Sequence, residues 1–344
     1  PMPRFRSIFG AIGEPKMANL KTSYLGLELD NPIIVGSCSL TKTVDQVKEA
    51  AEAGAGAVVL KSLFEEQIRL EYAATTEALA NDLHPEALQY LEADIAAQHG
   101  PRWYLELIRE ASKAVSIPVI ASVNCTGAAT WTEFAQQIAA AGAAALELNL
   151  YALPTDPTLP SADIERTYLD TVAEVTQNVK LPVGVKLAPY LTNVGRMASQ
   201  LTERGANGLV LFNRFFQPDI DVDAESLRGG VILSHKGDHR RTLRWIALLS
   251  GRVKADLCAS GGVHDGKTVV KQILAGADAV QTVSSLYKNG IGYLTSLRDD
   301  LDAWMEEKGY ADLDAFRGSC SHAETPDADR LERAQYIQAF VGVE

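Results

Sequence analysis

The chain has 344 residues, 47% hydrophobic and 22% charged, with a net charge of 32 − 44 = −12. That is ordinary globular composition, and its acidic balance excludes a large nucleic-acid footprint, which needs a basic face to displace counterions. No apolar run approaches the ~20 residues of a membrane-spanning helix, so neither nucleic acid nor membrane is expected as a partner. The start, P-M-P-R-F-R-S-I-F-G-A-I-G, is too short and too broken by Gly10 and Gly13 for a signal peptide. Met17 is a candidate original start, with residues 1–16 an N-terminal extension. The four cysteines, Cys38, Cys125, Cys258 and Cys320, form no C-x-x-C pair. They read as reduced thiols of a cytoplasmic protein, serving as small hydrophobes, and no metal site is expected.

L-K-T-S-Y-L-G-L-E-L-D (20–30) alternates around Gly26 and predicts a small hairpin that closes the bottom of a larger structure. N-P-I-I-V-G-S (31–37) predicts a strand, 43–54 a helix stopped by Gly54, and A-V-V-L-K (57–61) a second strand. A long insert follows, ending in an amphipathic helix near 103–115. P-V-I-A-S-V-N (118–124), A-A-L-E-L-N (144–149), P-V-G-V-K (182–186), G-L-V-L-F-N (208–213), A-D-L-C-A-S-G-G (255–262) and A-D-A-V-Q-T-V (277–283) predict strands three to eight. The helices between and after them are expected over 131–142, 162–178, 194–205, 240–251, 267–276 and 292–308. Eight continuous apolar strands, each followed by a helix, are the pattern of a single (β/α)8 TIM barrel, α/β in class. The barrel is expected over 17–310, with a C-terminal tail over 311–344 packing on it or on a partner subunit. A doubly wound open sheet is the alternative, but no G-x-G-x-x-G follows the first strand.

In such a barrel the chemistry sits at the carboxyl ends of the strands. Those positions carry Ser37 and Cys38, Lys61 and Ser62, Asn124 and Cys125, Asn149, Lys186, Asn213, Ser260 with Gly261 and Gly262, and Gln281 with Thr282. The ring holds lysines and amides and almost no Asp, Glu or His, which a divalent metal would need. It suits a flat polar heterocycle with an anionic tail. The turns after strands seven and eight are the usual phosphate site of this fold, and the glycines of S-G-G-V (260–263) let the backbone approach closely.

The sequence resembles the FMN-binding barrels of the dihydroorotate dehydrogenase type, chiefly class 1, over about residues 20–300. The resemblance rests on D-N-P-I-I-V-G-S, V-L-K-S, the strand-ending N-L of E-L-N-L, P-V-G-V-K-L-A-P-Y, Asn213, S-G-G-V and the Q-T near the end. It implies FMN, with its phosphate at Gly261, Gly262 and Thr282 and with Ser37, Asn124, Ser260 and Gln281 among the binding residues. Lys186 would lie near N1 and O2 of the flavin, Lys61 and Ser62 at the other edge, and Asn149 and Asn213 around the ring or substrate. It also implies a homodimer.

The resemblance breaks in one place. Class 1 relatives continue from Asn149's counterpart as N-x-S-C-P-N, with the cysteine as the base; here the stretch is N-L-Y-A-L-P (149–154). The base position falls on Ala152, which cannot accept a proton, and the last asparagine of the motif falls on Pro154. Cys125 and Tyr151 are the alternative proton-moving groups. Tyr72, His84, His235 and His239 stand in long loops that could fold over the mouth, the last two in H-K-G-D-H, read as a solvated loop. Arg214 in F-N-R-F-F (212–216) is a candidate anion clamp. Three functions stay open: an FMN oxidoreductase acting on a small anionic or heterocyclic substrate with an unidentified electron acceptor or donor, a Schiff-base lyase using Lys186, and a flavoprotein that serves electron transfer or regulation.

Overall fold

The computed structural model describes residues 18–65, 67–68, 100–125, 131–150, 155–214, 218–228, 232–326 and 328–332. The chain enters through a hairpin, β1 (Thr22–Tyr24) and β2 (Leu27–Leu29), turned by Leu25 and Gly26 at φ 55° and 70°. Two successive positive φ values match the right-handed twist of a two-residue hairpin. Eight parallel strands then close into a barrel in the order β3 (Ile33–Val35), β4 (Ala57–Val59), β6 (Val119–Cys125), β7 (Ala145–Leu150), β8 (Val183–Leu187), β9 (Gly208–Leu211), β12 (Asp256–Ser260) and β13 (Ala279–Thr282). The ring closes because β13 pairs with β3 and β4 pairs with β6. A short β5 (Leu63–Phe64) extends the edge of β6 beyond the end of β4.

Around the barrel run α1 (Val44–Glu52), α2 (Pro101–Ala114), α3 (Trp131–Ala141), α4 (Ser161–Asn178), α5 (Val194–Glu203), α6 (His239–Leu249), α7 (Gly266–Ala275), α8 (Ser284–Asn289) and α9 (Tyr293–Lys308). Their starts follow from local chemistry. Thr43, Asn193 and Asp265 accept from the backbone N–H groups of Gln46, Arg196 and Thr268 at the N-termini of α1, α5 and α7. The strands are apolar throughout because both faces are buried. Ile33, Val35, Val58, Leu146, Leu148, Val183 and Val185 pack outward with the helices. Their neighbours Ile34, Ala57, Val59, Ala145, Val210, Cys258 and Ala279 pack inward on the tip of the β1–β2 hairpin, Tyr24 and Leu25. The hairpin thus plugs the barrel's lower end, as the sequence predicts. Gly208 is required there, since a Cβ on it would stand 2.6 Å from Leu25 Cδ2.

Several elements differ from expectation. Strand six ends at Leu211, two residues early, and an exposed hairpin of β10 (Asp219–Asp221) and β11 (Ser226–Arg228) rises from the loop after it. D-I-D-V-D (219–223) alternates strictly, so the strand signal was present there, although the segment is short and rich in Asp, which strands disfavour. H-K-G-D-H is solvated over His235 to Asp238, as expected, but it is not all loop: a single 3-10 turn spans Lys236–Asp238, and His239 opens α6. His239 is buried, and its Nδ1 bonds the Lys236 carbonyl. The short α8 was not expected between strand eight and α9. After α9 the tail runs back along the barrel, with backbone bonds from Gly318 and Cys320 to Ile273 and Leu274 and from His322 to Ala247. Phe316 packs against Trp304 and Tyr310 there. No helix among the described residues is long and apolar enough to cross a membrane.

Candidate active site

Inward-facing residues of neighbouring strands stack in layers, and the period of two along a strand decides which residues share them. On β7 the inward positions after Ala145 are Glu147 and Asn149; on β8 they are Gly184 and Lys186; on β13, Ala279 and Gln281. Above the apolar plug the interior therefore turns polar. Lys186 is 6% exposed and Gln281 1%. The Lys186 ammonium donates to Gln281 Oε1 at 2.9 Å and stands 3.5 Å from Glu147 Oε1. Gln281 Nε2 donates to Glu147 Oε2 at 2.5 Å, closing a ring of three side chains. Only this orientation of the Gln281 amide satisfies both neighbours, because an ammonium cannot accept and a carboxylate cannot donate.

Glu147 is one of the site residues that the strand-end positions do not include. The mouth ring was read as nearly free of carboxylates, yet Glu147 is 2% exposed and lies directly beside Lys186. The sign was present in A-L-E-L-N: a glutamate inside a continuous apolar strand, two residues before Asn149 and thus on the same face.

A second network spans β3, β4, β6 and β7. Ser37 Oγ and Ser62 Oγ are 2.9 Å apart, and Ser62 Oγ and Ser122 Oγ 2.8 Å apart. Asn149 Nδ2 donates to Ser62 Oγ at 3.1 Å and to Ser122 Oγ at 2.9 Å. Ser122 is held from outside by Tyr104 of α2, whose hydroxyl donates to its carbonyl at 2.9 Å and accepts from its N–H at 2.7 Å. Burial pushes the Tyr104 phenol well up, so it stays protonated. Ser122, like Glu147, was not among the expected site residues. Lys61 is half-buried beside this network, with its ammonium 5.7 Å from the Phe64 ring centroid. Burial, and then the neighbouring Lys42, lower its pKa. Asn124 carries a buried Oδ1 with no hydrogen-bond partner among the described residues, which is costly unless something else supplies a donor.

The two glycines after β12 have different surroundings. Both are left-handed, at φ 96° for Gly261 and 73° for Gly262. A Cβ on Gly261 would meet nothing within 4 Å, whereas one on Gly262 would stand 2.2 Å from the backbone nitrogen of His239. Gly262 thus admits the start of α6, and Gly261 borders open space. Thr282 is buried; its hydroxyl donates to the Val263 carbonyl at 3.1 Å and meets Ser285 Oγ at 2.5 Å. Its hydroxyl thus ties the two turns together instead of standing free. Beside them Ser234 Oγ meets His264 Nε2 at 2.9 Å, and Lys288 Nζ donates to the Ser234 carbonyl at 2.8 Å. Burial, with Lys288 next, lowers the His264 pKa. Neither His264 nor Ser234 was singled out in the sequence.

The other expected residues are placed as follows. Ser260 ends β12, and its carbonyl accepts from Thr242 Oγ1 at 2.9 Å. Asn213 is half-buried, with its N–H on the Leu187 carbonyl at 2.7 Å. Arg214 is exposed and engaged by Asp238 Oδ2 at 2.7 Å. His235 is exposed. Cys125 closes β6 in register with Leu150, but its side chain lies outside the described residues, as do Tyr72, His84, Tyr151, Ala152, Pro154, Phe215 and Phe216. Cys258 is wholly buried in the barrel interior, and burial pushes its thiol far up. Among the described residues no three His, Cys, Asp or Glu side chains form a metal-holding group.

The family model described as Dihydroorotate dehydrogenase matches residues 19–305. Among curated proteins, one from Aeropyrum pernix named "Putative dihydroorotate dehydrogenase A (fumarate)" is 29% identical over 88% of this chain and 98% of its own. Two named "Dihydroorotate dehydrogenase B (NAD(+)), catalytic subunit" are also similar. That of Thermoplasma volcanium is 26% identical over 88% of this chain and 98% of its own, and that of Methanosarcina mazei 28% identical over 88% and 96%. With a closed parallel barrel and a family match over residues 19–305, the chain belongs to the dihydroorotate dehydrogenase family, oxidoreductases acting on CH–CH groups.

Proposed function

We propose that this protein is an FMN-dependent oxidoreductase that exchanges two electrons with a small anionic or heterocyclic substrate at the barrel mouth. The observation that carries this is Lys186. Its ammonium is buried at the end of β8 and held by Gln281 and Glu147, where it offers positive charge to a ligand above it. The residues fit the cofactor in two further respects. The unpartnered Oδ1 of Asn124 needs a donor such as a flavin ring N–H, and open space beside Gly261 leaves the backbone free to receive a phosphate. FMN would supply the hydride-accepting centre; the chain would bind, orient and move protons. Lys186 would stabilise negative charge on the ring. Ser62, Ser122 and Asn149 would hold the polar edge of the ring or substrate. Gly261 and Gly262 would carry the phosphate turn.

The ion pair to Glu147 also weighs against the Schiff-base reading. A lysine that attacks a carbonyl must have its amine free to approach it, whereas the Lys186 nitrogen is already engaged by Gln281 at 2.9 Å and Glu147 at 3.5 Å.

Dihydroorotate itself should be a poor substrate. Ala152 supplies no base, and general base catalysis contributes typically 10²–10⁴-fold. Cys125 and Tyr151 are the proposed replacements for that base on the reacting substrate. Relatives' names divide between fumarate and NAD(+) as acceptor, so both belong in the assay. The exposed Ile220, Val222 and Leu227 of the β10–β11 hairpin support a homodimer, which sedimentation equilibrium would test by mass.

Denaturing the protein and identifying the released flavin is the direct test. A colourless protein that cannot be reconstituted with FMN overturns the proposal. With flavin present, Cys125→Ser and Tyr151→Phe are compared in the reductive half-reaction. A specific loss in one variant, at unchanged flavin content, identifies the proton-moving group.

A further inference from the structure

Glu147 is a carboxylate buried inside the polar layer of the barrel, 2% exposed, and the function proposed above gives it no role toward the cofactor. It touches two residues, Lys186 and Gln281, and it completes a closed ring with them. We propose that Glu147 is a positioning residue. It fixes the Lys186 ammonium through Gln281 and cancels part of its charge, so that whatever binds at the mouth meets a lysine–glutamate dipole rather than a bare cation. The inference deepens the FMN reading and, for its redox arm, rests on it.

The geometry supports this in three ways. First, the three side chains come from β7, β8 and β13. Asn149 pairs with Lys186 across β7 and β8, which places Glu147 one layer below the ammonium. The carboxylate is therefore on the side away from the mouth, where it can orient the ammonium without occluding it. Second, the bonds are unequal. The 2.5 Å bond from Gln281 to Glu147 and the 2.9 Å bond from Lys186 to Gln281 are close, whereas the direct lysine–glutamate contact is 3.5 Å. Gln281 relays most of the hold. Lys186 has three donors and uses one fully, so donors remain for a ligand. Third, all three groups are nearly inaccessible to solvent, so the field of Glu147 is not screened as it would be at a surface.

The consequence has a definite sign. Removing the negative charge of Glu147 leaves more positive potential at the mouth, which favours an anionic reduced ligand. Removing Lys186 does the opposite. A glutamate that served only packing would shift neither.

The test has two arms. In flavin-free protein, 15N lysine NMR observes the Lys186 ammonium directly. The parent should give a slowly exchanging ammonium signal, assigned by its absence in Lys186→Met. Glu147→Gln, which keeps the shape, should broaden that signal or remove it. In flavin-loaded protein, Glu147→Gln should raise the reduced-to-oxidised flavin ratio at fixed potential by about tenfold, about +30 mV for a two-electron couple. Glu147→Asp, which keeps the charge, should return the potential toward the parent. An unchanged ammonium signal in Glu147→Gln overturns the proposal, and so does an unchanged flavin potential. Protein that binds no flavin defeats the FMN reading instead, while the NMR arm still decides whether Glu147 holds Lys186. If Glu147→Gln does not fold, Glu147→Asp carries both arms: it keeps the charge but retracts it by one methylene, so a shifted lysine signal with a near-parent potential supports the proposal and an unshifted signal refutes it.

Discussion

Two adjacent glycines separate structural from functional demand. Gly261 and Gly262 both adopt positive φ, so an alanine at either should cost about 1–2 kcal/mol for the left-handed backbone. At Gly261 nothing more is added, since its Cβ would enter open space. At Gly262 the new methyl would stand 2.2 Å from His239 N and 2.8 Å from Asp238 C, both backbone atoms at the start of α6. A backbone clash cannot be relieved by turning a side chain; the helix start must move. Overpacking of that kind costs about 1–3 kcal/mol, which brings Gly262→Ala to about 2–5 kcal/mol. At on the order of 2 °C per kcal/mol for a domain of this size, Gly261→Ala should lower Tm by roughly 2–4 °C and Gly262→Ala by roughly 4–10 °C. Urea unfolding of flavin-free protein, followed by tryptophan fluorescence, measures the stability difference. Titration with FMN then measures the other half. Gly261→Ala, though the less destabilised of the two, places a methyl where the phosphate is proposed to sit and should weaken binding by tenfold or more, about 1.4 kcal/mol or more. Equal destabilisation by the two alanines would refute the packing argument. Parent-like FMN affinity in Gly261→Ala would refute the phosphate turn.

The buried ion pair predicts strong non-additivity. Lys186→Met or Glu147→Leu alone should cost about 3–5 kcal/mol by stranding a buried charge, whereas the double variant should cost less than either; additive losses in urea unfolding would mean that the two groups do not interact. Tyr104→Phe should cost about 2–3 kcal/mol, because the buried N–H of Ser122 loses its acceptor and its carbonyl loses a donor. An effect below 0.5 kcal/mol would remove Tyr104 as the support of Ser122. Burial pushes the Asp278 carboxyl up to about 6, against the lowering effects of the Leu257 N–H and of Arg317. A raised carboxyl contributes stability that is full below its unfolded value of about 3.9 and is lost as pH rises through about 6. Asp278→Asn should therefore flatten the stability–pH curve between about pH 4 and 6, a difference of at most roughly 2–3 kcal/mol; an unchanged curve would mean that Asp278 titrates as it does in the unfolded chain.

The barrel was legible because parallel strands buried on both faces are written as unbroken apolar runs, and because glycine-bearing turns mark the way back into each strand. The same property hid part of the site. In a half-buried strand, alternation itself says which residues face inward. In P-V-G-V-K every residue before the last is apolar, so the inward face must be found by counting back from the polar terminus; in A-L-E-L-N only Glu147 marks it earlier. Counting by two from Asn149 gives Glu147, and from Lys186 gives Gly184; both lie inside the barrel. Reading only the last residue of each strand returned the top layer and omitted the one beneath it. Ser122, two residues before Asn124, was lost in the same way.

What the sequence could not supply is contact between distant loops. Ser234 and His264 are 30 residues apart and meet only because the loop after β9 folds over the turn after β12. Neither residue breaks a pattern in its own segment, so no local rule marks them. Thr282 shows the converse. It is the last residue of β13, as the strand-end count expects, but its hydroxyl is already engaged by Val263 and Ser285, which leaves the glycine backbone after β12 as the part open to an anion. A strand-end position specifies which residue stands at the mouth; whether its polar atom is free depends on the neighbouring turn. Among the described residues, the Asn124 side-chain carbonyl, the remaining Lys186 donors and the backbone around Gly261 are open, and these are groups through which a bound cofactor would be recognised.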